Sequence, residues 1–225
     1  MRAAPMTALR IHVCADLASA GPDLRWPTMH ATQDTTRRVA RICCELGITD
    51  QRTLAGDQAT VDALLGALSE AVATLVDDGL LVLTFSGHTV RGDGPTETAR
   101  WCLFDGGVEL SQITGQLSRL PAAATVLVIC DSCYSAAIAS VLSGTQEVVL
   151  LAGCGEHQTM IGRCRSEFVV KIEEFVVSRR SRGSLAQLRE VLEDDTPDCE
   201  RPVVWTNAAR RWSQSIADLV QACKP

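Results

Sequence analysis

Short, continuous apolar runs alternate along the chain with segments whose apolar residues recur every three or four positions. The first run, "ALRIHVC" (8–14), predicts a strand. After a loop containing Gly and Pro, a helix over about 34–46 puts Val39, Ile42, Cys43 and Leu46 on one face, and Gly47 stops it. A short strand near 52–54 leads into a second helix. Asp57 is its N-cap candidate, Leu64, Leu65, Leu68, Val72 and Leu75 form its apolar stripe, and Gly79 terminates it. Leu80–Phe85 predicts a buried strand, and the chain from Ser86 to about Ala99 reads as a Gly-rich loop before a short strand at "RWCLF". A helix over 110–120, a strand over 126–131, a small-residue helix over 133–142 and a strand over 148–151 follow. Helices over 166–177 and 185–193, a strand at "PVVWT" and an amphipathic helix near 212–222 complete the pattern.

Buried strands alternating with amphipathic helices predict an α/β domain with a mostly parallel sheet covered on both faces. Residues 1–7 read as a disordered tail and 8–225 as a single domain, with no repeat and no low-complexity linker. A composition of 46% hydrophobic and 21% charged residues suits an ordinary globular chain. The formal charge of −6 argues against nucleic acid as a partner and leaves room for a basic ligand. Lys171 and Lys224 are the only lysines, an Arg bias that, with abundant Ala, Val and Leu, suggests a bacterial source.

Ten cysteines invite a disulfide framework, but Cys14, Cys102 and Cys130 lie inside apolar runs and Cys43–Cys44 on a helical pattern, as small hydrophobes do. "MRAAPMTALR" lacks the apolar core of a signal peptide, and no run approaches a membrane span. The expectation is a reduced cytoplasmic location, with no membrane partner.

Two of the buried runs end in chemistry. "VLVICDSCYSA" (126–136) closes on Asp131, Ser132 and Cys133, and "LLVLTFSGH" (80–88) on Ser86, Gly87 and His88. In a parallel sheet, ligands bind beyond the carboxyl ends of the strands, which is where both tips fall. A thiol at the start of a helix gains from the N-terminal dipole, and an imidazole across the gap can take its proton and return it to a leaving amine. The Cys133 N–H can donate to an oxyanion. On pattern alone, a buried structural Cys and a structural His explain the two residues equally well.

"FSGH" followed 45 residues later by "DSCYS" resembles the caspase and metacaspase superfamily of cysteine peptidases. The Q-A-C-x-G signature of caspases proper is absent, and the match is closer to metacaspases and bacterial caspase-like proteins. It extends over nearly the whole chain, through "DLRWPTMHATQDTTRRVARICCELG", "LAGDQATVDALLGAL", "LLAGCGEHQT" and "RPVVWTN". The resemblance implies a three-layer sandwich around a mostly parallel six-stranded sheet. It makes Cys133 the nucleophile and His88 the general base and acid, with the N–H groups of Cys133 and Thr89 as oxyanion donors. Thr89 stands where the family has glycine, and Tyr134-Ser135-Ala136 where His-Ser-Gly is common.

The resemblance also assigns the pocket for the residue before the scissile bond (P1) to Asp131, Ser86 and Asp34, which implies cleavage after Arg or Lys. Asp34 reads equally well as a helix cap or first-turn acid. For calcium, which many metacaspases bind, Asp93, Glu97 and Glu156 offer too few oxygens, so no obligatory cofactor or metal is expected. His157 reads as a solvent-facing loop residue. Arg163 and Arg165, in "MIGRCRSEF", are self-cleavage candidates or part of a plain surface loop, and "SRRSRG" is a solvated basic turn or a processing site. The expected function is a regulated bacterial endopeptidase acting in stress, cell death or defence, under a regulatory partner protein. An inactive caspase-like scaffold, or a thiol hydrolase of small molecules, are the alternatives.

Overall fold

The apolar runs assemble into a single central sheet. A computed structural model describes residues 6–21, 24–25, 31–91, 99–142, 146–160, 166–178, 182–194 and 201–221. In chain order the first half comprises β1 (Met6–Cys14), β2 (Ser19–Gly21), β3 (Leu24–Arg25), α1 (Ala31–Glu45), β4 (Gln51–Ala55), α2 (Val61–Thr74) and β5 (Leu75–Ser86). There follow β6 (Thr89–Arg91), β7 (Ala99–Cys102), β8 (Gly107–Glu109), α3 (Leu110–Leu117), β9 (Thr125–Asp131) and β10 (Glu147–Ala152). The last elements are α4 (Glu167–Ser178), α5 (Leu185–Glu193), β11 (Val203–Thr206) and α6 (Ile216–Gln221).

The six-stranded sheet has the order β11-β10-β9-β5-β1-β4. Its strands are parallel except β11, which pairs antiparallel with β10. Strand alternation sends Ile11, Leu83 and Val128 to one face, against Leu64 and Leu68 of α2 and Ile113 of α3. Val82, Leu127 and Val149 go to the other, against Val39 of α1, Ile172 of α4 and Leu188 of α5. The result is the three-layer α/β sandwich expected from the sequence.

Local chemistry moved some boundaries. Asp57 falls in a 3-10 turn (Gly56–Gln58), and α2 is capped by Thr60, whose hydroxyl accepts from the Ala63 N–H at 3.2 Å. Gly79 does not terminate that helix, because β5 begins at Leu75, pairs with Met6, and passes the polar Asp77-Asp78-Gly79 through a register shift. The expected Gly-rich loop contains β6, which joins β7 and β8 in a small antiparallel sheet. Seven cysteines lie among the described residues, and none of them is in a disulfide.

One buried polar contact under α1 fixes a protonation state. His12 has no solvent exposure; its Nδ1 lies 2.5 Å from Thr84 Oγ1 and its Nε2 2.8 Å from Thr36 Oγ1. Thr36 spends its proton on the Thr32 carbonyl, so it accepts from Nε2–H, and Nδ1 accepts from Thr84. The bond at Nδ1 needs a neutral ring, because a protonated ring has no acceptor there. Burial, helped by the Arg10 cation, lowers the His12 pKa to about 3. In the unfolded chain His12 takes up a proton near pH 6.5, so between that pH and about 3 the unfolded state binds more protons. Stability therefore falls on acidification, with His12 contributing up to about 1.4 kcal/mol per pH unit. His12→Gln should flatten this part of the curve in urea titrations at pH 4–7.

Candidate active site

β5 and β9 are neighbours in register, with Ser86 opposite Asp131, and on the far side of β5 Ser86 pairs with Cys14 of β1. Each strand then continues two residues to a chemical group, His88 from one tip and Cys133 from the other. The tips are tied together. The Gly87 N–H donates to the Asp131 carbonyl at 3.4 Å, and the Thr89 hydroxyl donates to Ser132 Oγ at 2.7 Å. Gly87 has little room for a side chain, since a Cβ there would lie 2.9 Å from the Ala15 Cβ. His88 and Cys133 are both half-buried.

Thr89 opens β6 opposite Trp101. The Cys102 N–H donates to the His88 carbonyl at 2.9 Å, which makes Thr89–Trp101 the non-hydrogen-bonded pair of that ladder and turns the Thr89 N–H away from β7. Trp101 stacks on Phe85 with ring centroids 4.2 Å apart, seating the small sheet on the large one. Thr89 does not have a positive φ, so a β-branched residue carries no left-handed strain here.

The left-handed residue is instead Tyr134, at φ 53° and ψ 24°, alone among the described non-glycine residues in having a positive φ. It ends the Cys133 turn and starts a 3-10 helix over Ser135–Val141, where an α-helix was expected. The thiol therefore has no α-helix N-terminus beneath it. It has a backbone donor: the Met160 N–H points at Cys133 Sγ, 3.3 Å away. The Tyr134 N–H donates to Gln158 O at 2.8 Å, and Ser135 bonds the backbone of Cys154, so the segment 153–160 shapes the Cys133 turn. Tyr134→Val, which forces a β-branched residue into this conformation, should lower stability by about 1–2 kcal/mol in thermal denaturation, whereas Tyr134→Gly should be tolerated.

Cys130 and Cys133 stand at the C-x-x-C spacing, which a purely hydrophobic interpretation of the cysteines overlooks. Cys130 points into the core on the α2 side, and burial pushes its thiol up to about 12, so it is inert where a redox partner must ionise. Burial also pushes the Cys154 thiol up.

On the α1/α4 face, Asp131 is buried at the rim of the sheet. Its Oδ2 accepts from Thr35 Oγ1 at 2.8 Å and Ser86 Oγ at 3.5 Å, and its Oδ1 from Ser166 Oγ at 2.7 Å. Burial raises its pKa, and the three hydroxyl donors pull it partly back. Asp131 and Ser86 thus come together as the sequence suggested. Asp34 is engaged otherwise: its carboxylate is held by Arg38 Nε at 2.6 Å and Arg37 Nη2 at 3.2 Å, and the next residue, Thr35, reaches Asp131.

Arg163, Arg165, Asp93 and Glu97 lie outside the described residues. Glu156 is paired with His157 at 2.9 Å, both of them exposed. Among the described residues no group of three or more His, Cys, Asp or Glu side chains could hold a metal ion, and no helix is long and apolar enough to cross a membrane. Thr35, Ser132, Met160 and Ser166 were not singled out from the sequence. Ser132 stood inside the quoted motif, while Thr35, Met160 and Ser166 lie in stretches noted for other residues and carry no pattern that marks them.

No family model and no curated protein matches the chain. Solved structures do. The protein GSU0716 from Geobacter sulfurreducens superposes with a TM-score of 0.80 at 18% identity, over 94% of this chain and 98% of that one. Caspase-1 from Spodoptera frugiperda superposes with a TM-score of 0.67 at 10% identity, over 93% and 90%. The chain has a caspase-like fold. At these identities the likeness concerns architecture. Within the caspase-like sheet of this chain, the carboxyl ends of β5 and β9 carry a histidine, a thiol and a buried carboxylate together.

Proposed function

We propose that the chain is a cysteine endopeptidase that cleaves after Arg or Lys, nearer to metacaspases than to caspases proper. The observation that supports it most is the Ser86–Asp131 register pair: two residues beyond it stand His88 and Cys133, and beside it is a buried carboxylate with a ring of hydroxyls. Among the described residues no cation lies on Asp131, and a buried anion without one favours a ligand that brings it. An acidic P1 side chain would be repelled.

In this mechanism His88 takes the Cys133 proton, and the thiolate attacks the carbonyl carbon next to P1. The Cys133 and Thr89 N–H groups receive the oxyanion. His88 then gives its proton to the leaving amine, a thioester remains on Cys133, and water activated by His88 releases the new carboxylate. The Met160 N–H at 3.3 Å from Sγ supports the thiolate between these steps. The proposed reaction has no obligatory requirement for calcium or another cofactor. The proposed setting is a bacterial cytoplasm, with proteolysis in stress, cell death or defence switched by a partner protein.

Fluorogenic peptides with Arg, Lys, Asp or Leu at P1 test the proposal, with and without EGTA. Expected is cleavage of the Arg and Lys peptides alone, indifferent to the chelator. Preference for Asp or Leu would refute the pocket assignment. Silence on all four would favour an inactive caspase-like scaffold.

A further inference from the structure

We propose that Thr35 and Ser166 are specificity-determining residues of the P1 pocket: their hydroxyls, gathered on Asp131, select a guanidinium over an ammonium. The inference rests on the peptidase proposal for its biological meaning, but the pocket can be probed without catalysis.

A carboxylate offers about four lone-pair positions to donors. On Asp131 three are already taken, by Thr35 from α1, Ser86 from β5 and Ser166 at the start of α4. About one remains for a ligand. Each hydroxyl that donates its proton to Asp131 keeps its own lone pairs, so the remaining N–H groups of an incoming cation must be received by this hydroxyl ring. The site presents one negative charge with its acceptors spread over several oxygens on three elements.

That distribution treats the two basic side chains differently. A guanidinium carries five N–H donors in a rigid plane and cannot turn to find other partners. An ammonium carries three, rotates freely, and satisfies itself on the carboxylate, one hydroxyl and a retained water. Removing one hydroxyl takes an acceptor from the ring and returns one lone pair to Asp131. A rigid guanidinium fitted to the ring cannot turn its N–H groups to that one oxygen, so Arg loses more than a freely rotating ammonium. Asp34 supplies no second charge to even the balance, because Arg37 and Arg38 hold it. Thr35 and Ser166 also bridge α1 and α4 through Asp131, so a purely structural role predicts equal losses for both cations.

The decisive variant is Thr35→Val, which keeps shape and removes the hydroxyl, with Thr35→Ser as the rescue. Ser166→Ala is the second variant, less clean because Ser166 also accepts the Val169 N–H at 3.3 Å. Two readouts are taken. In peptide cleavage, kcat/KM for Arg should fall at least about tenfold more than for Lys in Thr35→Val, and return in Thr35→Ser. In binding, n-butylguanidinium and n-butylammonium are titrated into Cys133→Ala protein by NMR, and the same change in ratio is expected when Thr35→Val is added. An unchanged guanidinium-to-ammonium ratio in binding overturns the proposal, as does failure of both probes to bind. Selective binding without any cleavage keeps the pocket assignment and refutes the peptidase proposal.

Discussion

Cys133→Ala is expected to lower kcat/KM on Arg peptides by at least about 10³-fold, and His88→Ala by a similar factor. The two losses should not multiply. A thiol without its base and a base without its thiol are both idle, so the double variant should be no slower than the worse single one. Cys154→Ala sets the control. Its thiol sits close by, on the carbonyls of Ser132 and Gln158 at 3.3 Å each, but burial raises its pKa and keeps it protonated. Activity that survives Cys133→Ala and disappears with Cys154→Ala would place the nucleophile elsewhere. Initial rates on one Arg peptide, with folding checked by circular dichroism, are sufficient.

Asp131→Asn carries the second large effect, and its two halves point in opposite directions. Cleavage after Arg should fall by about 10²–10³-fold, the loss that follows when one partner of a buried charge pair is removed. Stability should rise at neutral pH. Burial holds the folded-state pKa of Asp131 above that of an unfolded aspartate, so its favourable contribution is complete below the unfolded pKa, near 3.9, and is lost as pH rises through the folded value. Asparagine cannot ionise and escapes that loss. The variant should therefore gain on wild type as pH increases from about 4 to 8, read as a widening gap in urea midpoint. A carboxylate retained at a stability cost is what a binding site for a cation requires. Equal loss of stability at every pH would mark Asp131 as a structural linker of α1 and α4 only.

Much of this architecture was legible from hydrophobic pattern. The runs at 8–14, 80–85, 126–131 and 148–151 are buried on both faces, so they read as parallel strands without ambiguity, and all four sit in the central sheet. The polar tips at Ser86 and Asp131 were visible for the same reason: a polar residue ending an apolar strand breaks the pattern. What failed was decided by partners far away in sequence. Leu75–Gly79 continues a strand despite two aspartates, because its mate is Met6. The strands β6 and β8 are three residues each, too short to show a period, and exist because β7 stands between them. Tyr134 takes the left-handed region and a 3-10 helix follows it where an α-helix was expected, neither of which composition announces.

The cluster around Asp131 shows the same division. Asp131 and Ser86 share a register that follows once both strands are parallel neighbours. Thr35 and Asp34 differ by one position on α1, about 100° of helical rotation, and periodicity with an uncertain helix start cannot choose between them. The structure gives Thr35 to the carboxylate and Asp34 to the arginines on its own helix. Ser166 is 35 residues from Asp131, and only the return of α4 across the sheet brings it there.

Covalent trapping tests the central claim most directly. The protein is incubated with peptidyl fluoromethyl ketones that carry Arg, Asp or Leu at P1, and intact and peptide mass spectrometry locates the adduct. The expected result is a single adduct on Cys133, formed with the Arg reagent alone and absent from His88→Ala and Asp131→Asn. Labelling of another cysteine, or equal labelling by all three reagents, would contradict a Cys133 nucleophile served by an Asp131 pocket.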